Sequence, residues 1–154
     1  MPKKYSLFVH IFSVFILIGF SAITFYLSYD RYVNYVFGKF DLGNMNQMLF
    51  NSSRLNFMVL TDYFGSNNIR WSMSHIDPLI LILIPLNLIY SDASLLLLSQ
   101  NIAFLISAFL IYKISRLYKL SIVNSWLISF LIYLMPISGY ILVWTTFHPS
   151  SLAL

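Results

Sequence analysis

The chain of 154 residues contains no Cys and no Glu. Lys and Arg number nine and Asp five, together 9% of the sequence, against about 25% charged residues in an ordinary soluble domain. The missing Cys excludes a disulfide scaffold. The scarcity of charge excludes a soluble enzyme, because a soluble fold of this size must cover a large surface with polar side chains. There is no CxxC or HExxH pair, no P-loop and no dinucleotide fingerprint. What is present is 59% hydrophobic and 18% aromatic, with 14 Phe and 11 Tyr. That balance excludes disorder and leaves an integral membrane protein. The net charge of +4 is too small to point to nucleic acid and reads instead as membrane topology.

The apolar runs set the architecture. Leu7 to Leu27 holds one ionisable residue, His10, follows Lys3 and Lys4, and precedes Asp30-Arg31. About 20 residues at 1.5 Å each cross roughly 30 Å of hydrocarbon, so the run is expected as a membrane helix. It exceeds a signal-peptide core and lacks a small-x-small cleavage site. Ser28 to Pro78 scatters charge among aromatic rings, as at a bilayer interface. Within it, Met45 to Phe50 reads as a short surface helix and Gly65-Ser66-Asn67-Asn68 as a turn. Leu79 to Tyr90 has 12 residues with Pro85 inside, a length typical of interfacial or re-entrant segments. Leu95 to Tyr112 and Ile122 to Trp144 are both long enough to span, and Pro136 and Gly139 are expected to kink the second.

Charge chooses between topologies. If Leu79 to Tyr90 stays on the outer side, Lys3, Lys4, Lys113, Arg116 and Lys119 all lie inside, as the positive-inside tendency requires. All five Asp, from Asp30 to Asp92, then lie outside. The expected fold is therefore all-α and polytopic: three transmembrane helices (about 7–27, 95–112 and 122–144) with juxtamembrane or re-entrant helices in a large outer loop, 28–94. The N-terminus is cytoplasmic and the protein sits in the cell membrane. Residues 1–154 read as one membrane domain, truncated at the C-terminus, because the apolar pattern stops where another segment could begin. Membrane lipids are the expected partners, and nucleic acid is not.

Three spans leave the Asp41, His75–Asp77 and Phe147–Pro149 regions on one face of the membrane. A carboxylate such as Asp41 near lipid headgroups can bind a metal or accept a proton from a sugar hydroxyl; its structural role would be to cap the short helix that follows. Gln47 can hydrogen-bond a polar substrate or face water. His75 and Asp77 are candidate ligands or proton-transfer groups, and Asp77 before Pro78 equally suits a helix start. His148 before Pro149 has the same two readings. Arg54 and Arg70 can face lipid phosphates or serve as loop cations. His10 is expected to meet a neighbouring helix or snorkel, and Lys113, Arg116 and Lys119 to anchor on anionic inner headgroups. Asn51-Ser52-Ser53 matches an N-glycosylation acceptor, a frequent chance pattern.

Four short motifs in order resemble a family of uncharacterised multi-spanning membrane proteins, the domain of unknown function 2079. These are Phe40-Asp41-Leu42-Gly43 with Gln47, then His75-Ile76-Asp77-Pro78-Leu79-Ile80. Tyr112 with Lys113 and Arg116 follows, and Phe147-His148-Pro149 closes the set. The resemblance covers about residues 25–150. That family looks like a distant relative of membrane glycosyltransferases of the C fold, which take a sugar from a polyprenyl-phosphate donor at the outer face and carry an acidic residue in the first outer loop. Asp41 matches that residue, and Leu79 to Tyr90 a juxtamembrane element. The resemblance implies a glycosyltransferase, with Asp41, His75 and His148 as catalytic candidates and Gln47, Arg54, Arg70 and Asp77 as substrate-binding ones. It leaves room for a divalent metal ion. Family members are several times longer, so this part alone is expected to be inactive. Asp77 also departs from the usual apolar residue. The alternatives are a transporter or flippase component, which the absence of a central Asp, Lys or Arg in any span argues against, and a non-catalytic membrane protein or inactive fragment.

Overall fold

The computed structural model describes residues 3–36, 39–61, 68–70, 78–144 and 147. Its first element, α1 (Lys3–Val33), runs 31 residues, about 46 Å at 1.5 Å each. The inward stripe of α1 is polar and small. Ser6, His10, Ser13, Leu17, Ser21, Thr24 and Ser28 recur at three- or four-residue steps, and Ser13, Leu17 and Ser28 are buried. Phe8, Phe12, Phe15, Ile23 and Tyr26 point outward and are exposed. This inverts the pattern of a soluble helix and matches membrane packing, where small residues let backbones approach and lipid takes the large side chains.

The second long helix, α4 (Ser94–Leu117), packs antiparallel to α1. Tyr112 meets His10, Asn101 meets Thr24, and Asp92 before the helix meets Tyr32. His10 and Tyr32 are 22 positions apart, about 33 Å along the helix, so polar clusters mark the two ends of a hydrocarbon-thick layer. The third unit begins with α5 (Ile122–Leu134), whose N-cap Ser121 accepts from the Asn124 N–H at 3.1 Å. The short α6 (Pro136–Gly139) and a π-helical turn (Tyr140–Trp144) complete it. Pro136 cannot continue α5, and the axis bends by 51° there.

Two helices are long and apolar enough to cross a membrane, and a third crossing follows if the bent pair is one span. The described residues are mostly helical, as the composition required. Each long helix overruns the expected boundaries, 7–27 and 95–112, because polar end residues continue it.

The π-helical turn shifts carbonyls out of the normal helical ladder. In hydrocarbon a freed carbonyl is costly, and here side chains meet both. Gln100 Nε2 donates to Ile141 O at 2.9 Å, and Ser28 Oγ donates to Leu142 O. At the opposite end His10 lies between two helices. Trp126 Nε1–H donates to His10 Nδ1 at 3.2 Å, and Tyr112 OH is 2.9 Å from Nε2. Indole can only donate, so His10 accepts at Nδ1, while its Nε2 faces the Tyr112 hydroxyl. Tyr112 stacks on Trp126 with centroids 4.1 Å apart.

Between α1 and α4 lies the smaller layer that positions the candidate site. Helix α2 (Lys39–Ser52) leads to an antiparallel pair of short strands, β1 (Val59–Thr61) and β2 (Asn68–Arg70), with Val59 opposite Arg70 and Thr61 opposite Asn68. No strand was expected there from the amino-acid pattern. Of the expected turn at 65–68, residues 65–67 lie outside the described residues. A 3₁₀ segment (Pro78–Leu83) then continues into α3 (Ile84–Ile89). At about 2.0 Å per residue in 3₁₀ and 1.5 Å in α geometry the two reach roughly 21 Å, short of a bilayer core.

Candidate functional site

Helix α2 presents Leu42, Met45, Met48 and Leu49 to one buried cluster, which Ile80 and Leu83 of the 3₁₀ segment and Leu95–Leu97 of α4 complete. Phe147 belongs to the same cluster and is fully buried. Burial of a Phe side chain is worth about 1.5–3 kcal/mol, which favours Phe147 staying in this cluster. The helix bearing Asp41, the segment beginning at Pro78 and the residue before His148 therefore share one hydrophobic cluster.

Asp41 is the third residue of α2, not its N-cap, because the helix begins at Lys39. An anion in the first turn is favoured by the helix dipole, but a capping role does not account for Asp41. The side chain of Asp41 and the whole of His75, Asp77 and His148 lie outside the described residues, as does the side chain of Arg70, whose backbone is in β2. Gln47 is half-buried on α2. Arg54 is exposed and folds back on its own helix, with Nη1 donating to Phe50 O at 3.2 Å and the guanidinium 3.4 Å from the Phe50 ring centroid. That is a helix-end role. The Asn51 amide donates to Val59 O at 2.8 Å, and Ser52 Oγ accepts from the Met58 N–H at 2.9 Å. The glycosylation pattern is therefore built into the packing of α2 on β1.

Two side chains were not singled out from the sequence. Asn87 of α3 is 1% exposed, yet neither its Oδ1 nor its Nδ2 has a hydrogen-bond partner among the described residues. Asn46 Oδ1, on the helix that packs against α3, is buried and unpartnered as well. Buried polar groups in native structures are nearly always bonded, and leaving one bare costs a few kcal/mol. The signal was readable: Asn87 is the only polar side chain between Leu79 and Ile89. Beside it, between the 3₁₀–α3 segment and α4, an apolar groove of about 270 Å³ is lined by Leu79, Ile82, Leu86, Ile102, Ala103 and Ile106.

No family model matches the chain, and no curated protein or solved structure is similar to it. The site must be judged on its own geometry. Among the described residues no three His, Cys, Asp or Glu side chains stand together to hold a metal ion, so they offer a divalent ion no donor set. They do offer buried, unpartnered amide atoms on Asn46 and Asn87 and an apolar groove along the 3₁₀–α3 segment.

Proposed function

We propose that the chain is the front part of a membrane glycosyltransferase that uses a lipid-linked sugar donor on the outer face. In this reading it crosses the membrane three times, with the bent pair as one span and the Pro78–Ile89 segment outside. The N-terminus, Lys113, Arg116 and Lys119 are cytoplasmic. The observation that carries the proposal is the shared cluster of α2, the Pro78–Leu83 segment and Phe147. It brings the chain just after the His75–Asp77 motif and just before His148 into one cluster with the helix that bears Asp41. The apolar groove is the seat for the polyprenyl chain, and the Asn87 amide and Asn46 Oδ1, which have no hydrogen-bond partner among the described residues, are the groups that sugar hydroxyls would satisfy.

Asp41 would take the proton of the acceptor hydroxyl as its oxygen attacks the anomeric carbon and the bond to polyprenyl phosphate breaks. His75 and His148 would complete the proton path, with Gln47, Arg54, Arg70 and Asp77 toward the donor. General base catalysis is typically worth 10²- to 10⁴-fold, on the order of two to four decades in rate. Asp41→Asn, in protein expressed from its intact gene, should therefore lower sugar transfer from a polyprenyl-phosphate donor at least about a hundredfold. Full activity in that variant would remove Asp41 from the chemistry.

A further inference from the structure

The α1 end away from His10 carries a cleft that the proposed transferase chemistry does not use. It measures about 300 Å³ and is lined by Tyr29, Tyr32, Val33, Tyr35 and Asp92, at the small end of the range for ligand sites. Tyr29 and Tyr32 stand with ring centroids 6.2 Å apart and tilted by 50°, so their faces do not cover each other. Tyr35 is 90% exposed.

The backbone holds Tyr35 at the rim against local preference. Helix α1 ends in a Schellman turn, with the Tyr35 N–H donating to Tyr32 O and the Val36 N–H to Arg31 O. The turn puts Tyr35 at φ 57°, the left-handed position where Gly is usual and a side chain costs about 1–2 kcal/mol. An aromatic ring at a strained, exposed site beside a cleft fits a ligand clamp.

The fifth lining group supplies charge. Asp92 accepts from the Ser94 N–H through Oδ1 at 2.8 Å and from the Tyr32 hydroxyl through Oδ2 at 3.3 Å. Burial alone would push its carboxyl up, but hydrogen bonds from Ser94 and Tyr32 outweigh burial and hold it below the usual carboxylate range. All these partners are neutral. Among the described residues no Lys, Arg or His pairs with the half-buried Asp92 carboxylate.

Three tyrosine rings and a carboxylate lining one cleft, with no cationic partner among the described residues, form the recognition chemistry of an alkylated ammonium ion, which gains from the π faces and from the carboxylate together. A sugar would need several free hydrogen-bonding groups, whereas both Asp92 oxygens and the Tyr32 hydroxyl are already engaged; binding of a neutral sugar is therefore the competing outcome of the test. We propose that the Tyr29–Tyr32–Tyr35–Asp92 cleft binds a quaternary ammonium group, as presented by a choline lipid headgroup or by a free choline-like solute. The site is independent of Asp41 and of the proposed transfer reaction.

The test is isothermal titration of the protein in nanodiscs made only of phosphatidylglycerol, which carries no ammonium. Choline and tetramethylammonium should each bind saturably. Asp92→Asn should weaken both at least about tenfold, and loss of one ring, as in Tyr29→Leu, by roughly three- to tenfold. Because Asp92 also serves the start of α4, Tyr35→Gly is the decisive variant: Gly suits the left-handed position, so the fold should hold or stiffen while choline binding weakens. Repeating the titration in phosphatidylcholine discs separates the sources. Blocked choline binding there assigns the cleft to the lipid headgroup, and unchanged binding assigns it to a free solute. No saturable binding in phosphatidylglycerol discs, equal binding by Tyr35→Gly, or tighter binding of a neutral methyl glucoside would each overturn the proposal.

Discussion

At the scale of single residues, the scarcity of glycine has a structural cost. Tyr35, Leu55 and Lys119 take left-handed backbone at φ 57°, 69° and 60°, where α1, α2 and α4 end. At each the two hydrogen bonds of a Schellman turn close the helix, for Lys119 to Arg116 O and for Leu120 to Ser115 O. A side chain there costs about 1–2 kcal/mol, partly offset by the greater freedom that Gly would lose on folding. Lys119 is exposed, so Lys119→Gly should raise stability by up to about 1 kcal/mol, seen as a higher denaturation midpoint in detergent. A lower midpoint would mean that the Lys119 charge matters more than its backbone. The same three residues explain why helix ends were hard to read from the sequence. A stop signal is usually a Gly just past the last turn. Without it, the hydropathy pattern ended α1 at residue 27 and α4 at residue 112, several residues before the hydrogen bonds end.

At the scale of elements, Ser, Thr, Asn and Gln do the work that large apolar side chains do in a soluble core. Ser129 of α5 is fully buried and donates to Ala108 O of α4 at 2.6 Å, a contact possible only where two backbones come close. Ser129→Leu should force α4 and α5 apart and cost about 1–3 kcal/mol. Ser129→Ala keeps the close approach and should cost only about 0.6 kcal/mol, the typical worth of such a bond in a membrane protein. Unfolding titrations in mixed micelles distinguish the two, and equal losses would show that the hydrogen bond, not the space, governs this contact. The stripe of α1 was legible at three- and four-residue spacing, but a reading of hydropathy alone treats each Ser as a weak point in an apolar run. The π-helical turn was not legible, because Tyr140–Trp144 has the composition of any apolar helix. Three-residue strands fall below what alternation can resolve.

At the scale of the whole molecule, the proposed sidedness rests on the charge pattern. Three units alternate in direction, with α4 antiparallel to α1 and the bent unit running back beside it. A reporter placed after Leu120 should be cytoplasmic, since Lys113, Arg116 and Lys119 precede it; an external reporter would overturn the three-span topology and the one-face grouping of Asp41, His75 and His148. Of the site, the sequence singled out the polar motifs but missed the buried amides of Asn46 and Asn87 and the cleft at Asp92. Those depend on which side chains go without a partner, and that is a property of the packed layer rather than of any local pattern. The bend at Pro136 carries one further consequence. Gln100 on α4 and Ser28 on α1 each grip a carbonyl just past it, so straightening the axis would break two polar bonds to the long helices. The kink is therefore a welded joint rather than a pivot, tied through its own carbonyls to both long helices.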